Sequence, residues 1–317
     1  IVMITPAHSM EENDITMSFY RFVRIIDTDR LKIDLTNFCQ GNAIIGTIVI
    51  AEEGVNGSVS GENAAIKALL SYIKKRLNIE EIVINSATSV IPTFKRLKVK
   101  VRKEIVSIGL TDVKPELNTG THVSGNEWND LLNNPDVLVI DTRNNYEIDV
   151  GTFKTAVRAN TKNFREFPEQ IKALLEEDLE KPIAMFCTGG IRCEKASAHL
   201  LALGHKQIFQ LKGGILSYLQ DSSKDHSMWE GDCFVFDDRV AVDANLEPAD
   251  YEKCHGCRRP LSPDDRRSKK YEYGISCHNC IDSLNDNRRA SLMERNHQTQ
   301  LAKMRTAKTL NPTRKLL

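Results

Sequence analysis

One short run, Cys187-Thr-Gly-Gly-Ile-Arg-Cys193, constrains this chain more than any other part of its sequence. It follows the apolar stretch Ile183–Phe186, a pattern typical of a buried strand, and precedes Glu194–Leu203, a pattern typical of a helix. Strand, loop and helix in this order form the basic unit of a parallel α/β sheet. The sequence therefore predicts that Cys187 lies at the carboxyl end of a strand, where open α/β sheets place their sites.

The composition of this loop favours a reactive thiolate on Cys187. Backbone N–H groups of a small, glycine-containing loop can point inward at a bound anion. The N-terminus of the following helix adds a partial positive charge and Arg192 adds a full one, and each of these lowers the pKa of a thiol. The active-loop residues predicted beside Cys187 are Thr188, Gly189, Gly190, Ile191 and Cys193. The alternative is a buried cysteine without chemistry, packed between two core elements.

Loop length separates two kinds of chemistry. Four residues stand between Cys187 and Arg192. Cysteine-dependent phosphatases use a loop one residue longer, sized for phosphate. The shorter loop resembles the active loop of rhodanese sulfurtransferases, which holds a cysteine persulfide.

The alternation of elements predicts three regions, 15–110, 121–221 and 222–317. The first has a β-α-β-β-α-β pattern, which is typical of a ferredoxin-like α+β domain. Its predicted strands and helices are Met17–Ile25, Asp29–Gln40, Ile44–Ile50, Gly57–Ser60, Asn63–Leu77 and Val99–Ile108.

The second region alternates strands and helices, which predicts a parallel sheet with helices on both faces. Ser124 and Glu127 have the spacing of a capping box at a helix start. The other predicted elements are a strand at Val137–Asp141, a helix at Pro168–Glu180 and a strand with its turn at Ile208–Gly214.

Four cysteines in the third region predict a metal site. Cys254 and Cys257 are separated by 19 residues from Cys277 and Cys280, a spacing that suits a tetrahedral zinc site with four thiolates. Such a set leaves no open coordination position, so the predicted role is structural. His255 and His278 lie between the cysteines of the two pairs and could compete as ligands. We rank them below the cysteines, because four thiolates already complete the zinc site. The alternative is a chance pair of dithiols.

The neutral net charge of the chain hides an asymmetry. Residues 231–253 contain seven acidic and two basic residues, whereas residues 258–317 contain fourteen basic and six acidic ones. The positive charge of residues 258–317 suits binding to a phosphate backbone. The alternative is that this charge only keeps the protein soluble. The residues after Ser283 are predicted to form an exposed helix or a disordered tail. A second basic cluster in the first region is either a solvated strand face or an RNA-contacting surface: Lys95, Arg96, Lys98, Lys100, Arg102 and Lys103.

The sequence predicts a cytoplasmic protein with no membrane span. No apolar run reaches the roughly 18–20 residues that a spanning helix needs. The first residues lack a basic region followed by an apolar core, so no secretory signal is expected. Paired C-x2-C cysteines and a loop cysteine fit a reducing compartment.

Taken together, these motifs resemble a known family. The Cys187–Ser197 run, Val139-Ile-Asp-Thr-Arg143, Tyr146-Glu147 and Leu211-Lys-Gly-Gly214 are similar to a rhodanese domain. With a ferredoxin/acylphosphatase-like domain before it and a cysteine-rich segment after it, the chain resembles the bacterial rhodanese-like tRNA uridine hydroxylases, the TrhO family. The resemblance implies oxygen-dependent conversion of the wobble uridine of tRNA to 5-hydroxyuridine. It also implies that Cys187 is the loop cysteine and carries a persulfide, and that Cys193 is the second cysteine of the motif.

The residues themselves leave three functions open: a tRNA hydroxylase, a sulfurtransferase or persulfide carrier, and an RNA-binding module without enzymatic activity. Cys187 and Cys193 could also cycle between thiol and disulfide. No spacing suggests a two-His-one-carboxylate iron site, haem, flavin or nicotinamide. The expected cofactors are a structural zinc ion and molecular oxygen as co-substrate. The expected partner is tRNA, with no membrane and no obligate protein partner.

Overall fold

The protein is described by a computed structural model that covers residues 14–88, 93–110, 112–175, 178–221 and 226–310. The chain forms two compact units that divide after Ala249. Within the described residues, no helix is both long and apolar enough to span a bilayer. The order of an α+β domain, a parallel sheet and a cysteine cluster confirms the predicted fold class.

The N-terminal domain is a five-stranded sheet in the order β4-β1-β3-β2-β5, with two helices on one face. Its elements are β1 (Asp14–Phe22), α1 (Thr28–Gly41), β2 (Ile45–Ala51), β3 (Gly54–Glu62), α2 (Asn63–Leu77), β4 (Val83–Thr88) and β5 (Leu97–Val101). The first four strands pair antiparallel and β5 runs parallel to β2. Alternate residues of the strands pack against α1 and α2, which leaves the other sheet face for a different use.

The predicted last strand of this domain is wrong in position. The fourth strand of the β-α-β-β-α-β unit is β4, and the predicted strand Val99–Ile108 corresponds to an added edge strand that ends at Val101. β4 carries Asn85 on the face that borders the cavity, so it lacks the apolar alternation of a core strand. β5 ends at Val101 because its partner β2 ends at Ala51.

The second domain is a five-stranded parallel sheet in the order β6-β11-β10-β7-β9. Its elements are β6 (Thr121–Val123), α3 (Gly125–Asn133), β7 (Leu138–Asp141), α4 (Asn145–Ile148), β8 (Gly151–Phe153), β9 (Val157–Arg158), α5 (Phe167–Lys172), β10 (Ile183–Phe186), α6 (Ile191–Ala202), β11 (Ile208–Leu211) and α7 (Gly214–Asp221). Helices α3 and α7 cover one face of the sheet, and α5 and α6 cover the other. This arrangement confirms the prediction of helices on both faces.

The capping box predicts the start of α3 correctly, whereas the end of α5 is predicted too late. The capping box between Ser124 and Glu127 is present in both directions. The predicted helix Pro168–Glu180 ends already at Lys172, where Leu174 N–H donates to the Ile171 carbonyl in a tightened last turn. The chain has to reverse there to reach β10.

Residues 226–249 complete the first compact unit. They form β12 (Trp229–Gly231), which pairs with β8, and the short hairpin of β13 (Cys233–Phe234) and β14 (Ala241–Val242). Trp229 and Cys233 are buried in the core beneath α3 and α7. The predicted third region began at residue 222, and the structure places 226–249 against the parallel-sheet domain.

The second compact unit contains the cysteine cluster and a long helix. Its elements are β15 (Glu252–Lys253), β16 (Pro260–Leu261), α8 (Pro263–Arg267) and α9 (Asp286–Leu310). Ser262 caps α8 through a reciprocal hydrogen bond with Asp265. Of the two structures predicted for the residues after Ser283, the exposed helix is the one observed, and it covers 25 residues. Residues 311–317 lie outside the described ranges.

Helix α6 joins the two domains of the first unit. Its Lys195, fully buried, forms ion pairs with Glu53 and Glu104 of the N-terminal domain, at 2.7 and 2.6 Å from Nζ. In the preceding position, Glu194 accepts a hydrogen bond from the Tyr20 hydroxyl at 3.1 Å. The domains are therefore held at the helix that follows the cysteine loop.

We expect Lys195→Met to lower the free energy of unfolding by about 3 kcal/mol, because it leaves two partly buried carboxylates without their cation. The loss should shrink as the pH falls, because burial raises the pKa of Glu53 and a protonated Glu53 does not need the cation. Urea denaturation at several pH values measures both effects. The control is Lys206→Met, which removes an exposed pair with Glu180 and should leave the midpoint unchanged. A wild-type midpoint for Lys195→Met would show that these ion pairs do not stabilise the unit.

Candidate active site and metal centre

Cys187 lies at the carboxyl end of β10, at the start of the loop that leads into α6. The Gly190 N–H donates to the Cys187 sulfur at 3.1 Å. Gly190 has a φ of 94°, a left-handed conformation that glycine adopts without the cost that a Cβ would add. The predicted helix Glu194–Leu203 begins earlier, at Ile191, so Arg192 and Cys193 are in its first turn.

The N-terminus of α7 holds the loop from the other side. Ile215 N–H donates to the Cys187 carbonyl at 3.0 Å and Leu216 N–H donates to the Thr188 carbonyl at 3.1 Å. A Cβ on Gly214 would lie 2.4 Å from the Cys187 carbonyl oxygen, so this close approach requires glycine. The Gly213-Gly214 turn of the sequence therefore fixes the loop conformation.

Several groups set the pKa of the Cys187 thiol. Burial alone would raise it, because a thiolate loses its hydration in the interior. A hydrogen bond from the Cys193 thiol, the charge of Arg192 and the backbone N–H groups of both residues outweigh burial and lower the pKa from 9.0 to about 6. Burial and the neighbouring Cys187 raise the pKa of Cys193, which therefore stays a donor. Cys187 is thus a thiolate at neutral pH.

The guanidinium of Arg192 is occupied by a carboxylate. Its two terminal nitrogens donate to the two carboxylate oxygens of Glu147, both at 2.7 Å, and both side chains are buried. The ring of Phe236 lies 5.8 Å from the guanidinium carbon. Arg192 therefore contributes charge to the loop and anchors it to α4, while its terminal donors are directed to Glu147.

A cavity of about 490 Å³ opens above the loop. One wall is the helix-free face of the N-terminal sheet, the second is the loop from Cys187 to Arg192, and the third is the segment 235–246. The sheet wall presents hydroxyl and amide side chains: Thr16, Ser18, Thr47, Asn56, Ser58 and Asn85. This volume is within the usual range for a small-molecule site, about 300–1,000 Å³.

The cavity suits an uncharged ligand. In the described part of the chain, its charged lining groups are Arg192, Asp237, Arg239 and the sulfur of Cys187 in its thiolate form. Arg192 is paired with Glu147, and Arg239 is paired with Asp237 at 2.6 Å. The remaining lining is hydroxyl, amide, aliphatic and aromatic, which favours a ligand with neutral hydrogen-bonding groups.

The N-terminal domain reaches the loop directly, which sequence reasoning did not predict. Asn85 of β4 accepts a hydrogen bond from the Ser217 hydroxyl at 2.9 Å, and its amide nitrogen lies 3.5 Å from the Gly189 carbonyl oxygen. The Tyr20 hydroxyl would be 2.8 Å from a Cβ on Gly190. Neither contact has a local signal in the sequence. Glu147 accepts a hydrogen bond from the Asn144 N–H at 3.2 Å, and this spacing signals a helix start but not the pairing of Glu147 with Arg192.

The four predicted cysteines of the second unit come together. Their sulfur atoms all lie within 4.8 Å of one another, and three pairs are 3.7–3.9 Å apart. A tetrahedral zinc ion with Zn–S bonds of about 2.3 Å has sulfur–sulfur edges of about 3.8 Å. The donor set and its spacing therefore fit zinc.

The two histidines inside the cysteine pairs lie outside this cluster. His278 Nδ1 is 3.6 Å from an Asp265 carboxylate oxygen, and the His255 ring packs against Tyr273. Among the described residues, the metal-ligating group comprises the four cysteines. It could hold a metal such as zinc with no open coordination position.

Comparison with known families agrees with this architecture. Residues 15–105 match the UPF0176 acylphosphatase-like domain, and residues 124–221 match the rhodanese-like domain. The chain therefore combines an acylphosphatase-like N-terminal domain with a rhodanese-like domain, and the predictions of these two domains are confirmed.

Solved structures with local similarity come from both domain types. A rhodanese-like domain from Anabaena sp. is 16% identical, with 36% of this chain and 80% of that chain covered and a TM-score of 0.30. The polysulfide-sulfur transferase homodimer of Wolinella succinogenes is 28% identical, with coverage of 32% and 74% and a TM-score of 0.28. An acylphosphatase from Coxiella burnetii is 13% identical, with coverage of 31% and 100% and a TM-score of 0.24.

We predict that the Cys187 thiolate titrates near pH 6. Thiolate absorbance, taken as the difference between the wild type and Cys187→Ser, should be complete at neutral pH and disappear as the pH falls through about 6. Cys193→Ala should move this titration to higher pH, because it removes a hydrogen-bond donor to the thiolate. A difference titration close to pH 9 in the wild type would contradict the prediction.

We also predict that the second unit binds one zinc ion per chain. Metal analysis of the purified protein should find it, and a strong chelator should release it and make residues 250–283 sensitive to protease, because zinc binding and folding are coupled in such sites. Cys257→Ser should lose the metal. The control Cys39→Ala, a buried cysteine of the N-terminal core, should keep it. Full protease resistance after metal removal would exclude a structural role.

Proposed function

We propose that this protein hydroxylates the wobble uridine of tRNA to 5-hydroxyuridine, with Cys187 as the reactive residue. One atom of molecular oxygen enters the C5–H bond of the uracil, and the other leaves as water with two electrons and two protons from an external thiol reductant. The rhodanese-like domain supports a sulfurtransferase-type or related chemistry at Cys187. The acylphosphatase-like domain and the four-cysteine unit support the more specific proposal, because they complete the arrangement of domains that the sequence resembles.

The observation that carries the proposal is the neutral cavity above Cys187. The two arginines that line the cavity are paired with carboxylates, so beyond the loop amides little free positive charge is left for an anionic substrate. A uracil ring is flat and uncharged, and its carbonyl and imide groups can bond to hydroxyl and amide side chains. Ser58 and Asn56 of the sheet wall provide such groups.

An exposed aromatic side chain at the cavity also supports binding of a base. Phe236 lines the cavity and is 60% exposed, so its ring is available for stacking. Base stacking on aromatic side chains is worth about 1–3 kcal/mol per base. Phe236 could therefore hold a base that has left its own stack, with one edge directed at the sheet wall.

The chain's own residues have separable roles in this proposal. Cys187 provides a thiolate, which is the form that takes up sulfur or attacks an electrophile. The Gly190 N–H and the other loop amides stabilise negative charge on the sulfur species. Arg192, fixed by Glu147, keeps the loop electropositive.

One observation favours a second function, persulfide transfer. The loop amide that contacts the Cys187 sulfur and the low pKa of this thiol would stabilise a persulfide anion whatever the acceptor is. A persulfide on Cys187 is compatible with both functions, and the fate of tRNA distinguishes them.

We predict that Cys187→Ser abolishes 5-hydroxyuridine in tRNA. A strain that lacks the protein is complemented with wild type, Cys187→Ser or Cys39→Ala, and tRNA nucleosides are measured by mass spectrometry. Wild type and Cys39→Ala should restore 5-hydroxyuridine and its derivatives, because Cys39 lies in the N-terminal core away from the cavity. Cys187→Ser should restore none.

The same variants identify the alternatives. If Cys187 gains the mass of one sulfur atom from thiosulfate but 5-hydroxyuridine does not depend on the protein, the function is sulfur transfer. If Cys187→Ser complements fully, the reactive thiolate is not needed and the protein acts as a binding module. Either result would overturn the hydroxylase proposal.

A further inference from the structure

A row of cations lies on the outer strand of the N-terminal sheet. In β5, Lys98 and Lys100 alternate with Leu97 and Val99, whose side chains pack against the domain core. Arg102 continues the row, because its N–H donates to the Ile50 carbonyl at 2.8 Å and so keeps the chain alongside β2. These three cations, Lys98, Lys100 and Arg102, are called the β5 edge below.

The β5 edge belongs to the same sheet face as the cavity. Residues directly opposite each other on paired strands point to the same face, and neighbouring strands are about 4.8 Å apart. Lys98 is opposite Thr47, and Thr47 is opposite Ser58. Lys98 therefore lies one strand beyond the cavity wall.

A second cross-strand row repeats this relation. Lys100 is opposite Val49, Val49 is opposite Asn56, and Asn56 is opposite Tyr20. Val49, Asn56 and Tyr20 all line the cavity. The sheet face thus changes from neutral over Cys187 to positively charged at its edge.

The charge of the β5 edge is not neutralised. Across the described ranges, no ion pair joins Lys98, Lys100 or Arg102 to a carboxylate, and the Arg102 guanidinium donates to the Val101 carbonyl beside it. Lys98 and Arg102 are exposed. An exposed row of unpaired cations attracts a polyanion.

The basic C-terminal segment is paired in part. Arg266 contacts Asp250 and Glu252, and its neighbour Arg267 contacts Asp264. Further pairs join Lys270 to Asp282 and Arg289 to Glu272. Four of its cations therefore contact carboxylates, so the net positive charge of this segment overstates the charge that is free to bind phosphate.

We propose that the β5 edge binds the phosphate backbone of the RNA strand whose base enters the cavity. This inference rests on the proposed function. A nucleotide consists of an uncharged base next to an anionic phosphate, and the sheet face offers a neutral cavity next to a cationic edge. Long lysine and arginine side chains on alternate residues, about 6.8 Å apart, can follow a strand of phosphates.

Phosphate contacts on the β5 edge and base contacts in the cavity contribute differently to binding. A base that enters the cavity leaves its stack, which costs a few kcal/mol. Phosphate contacts on the β5 edge offset this cost and fix the position of the strand without reading its sequence. The base itself is then selected by the neutral wall.

The test is tRNA binding by the triple variant Lys98→Ala, Lys100→Ala and Arg102→Ala in the full chain. Its affinity for tRNA should fall by at least about tenfold at low salt, and the slope of log K against log salt should decrease by about 2 to 3, one unit or slightly less per lost phosphate contact. The charge-conserving variant Lys98→Arg, Lys100→Arg should keep the wild-type affinity and slope.

The matched control removes the same charge from the other sheet face. Lys32, Lys67 and Lys75 are exposed on α1 and α2. Their triple alanine variant should keep the wild-type salt slope. A loss of binding equal to that of the β5-edge variant would overturn the proposal, because it would reflect net charge alone.

Two further results would overturn the proposal. Unchanged tRNA affinity and salt slope in the β5-edge variant would do so directly. If that variant self-associates but binds tRNA normally, the cations serve only to protect an open strand edge.

Persulfide formation on Cys187 from thiosulfate is a check that the variant is folded, and it should stay at the wild-type level. Failure of the proposed function is a separate outcome. If 5-hydroxyuridine does not depend on Cys187 while the β5-edge variant loses tRNA binding, the surface is supported and the hydroxylase proposal is not.

Discussion

The contact between α6 and the N-terminal sheet is the constraint on which the rest of the structure depends. Four consecutive residues, Arg192, Cys193, Glu194 and Lys195, each make a different buried polar contact. The first two act on the loop and its thiolate, and the last two bind the other domain. A buried polar group without a partner is costly, so this turn of helix is stable only when all the partners are present.

This coupling explains why the two domains act as one site. The parallel-sheet domain alone would stabilise the thiolate. It contains both the loop amides that contact the sulfur and the N-terminus of α7, which holds the loop carbonyls. The walls that give the cavity its neutral character come from elsewhere, namely the helix-free face of the N-terminal sheet and residues 235–246. The parallel-sheet domain therefore provides the reactive loop, whereas the N-terminal sheet and residues 235–246 determine which ligand fits above it.

Much of the fold could be predicted because its signals are local. The bounds of α2 and β10 agree with the prediction, and the Ser124 capping box is present, since periodicity and capping depend on residues a few positions apart. β4 escaped prediction because its Asn85 faces the cavity instead of a core and interrupts the apolar pattern. The end of α5 was missed because the chain reversal that ends it is required by the position of β10.

The sequence by itself determined the composition of the loop, the four-residue spacing between Cys187 and Arg192, and the two cysteine pairs, because short-range geometry depends on residue type and spacing. The tertiary structure decided which donors and charges remain available. It pairs Arg192 with Glu147, brings four distant thiols together, and places the unpaired cations of β5 beside the cavity. These outcomes depend on strand order and domain docking, and such long-range relations leave no periodic or local trace in the chain.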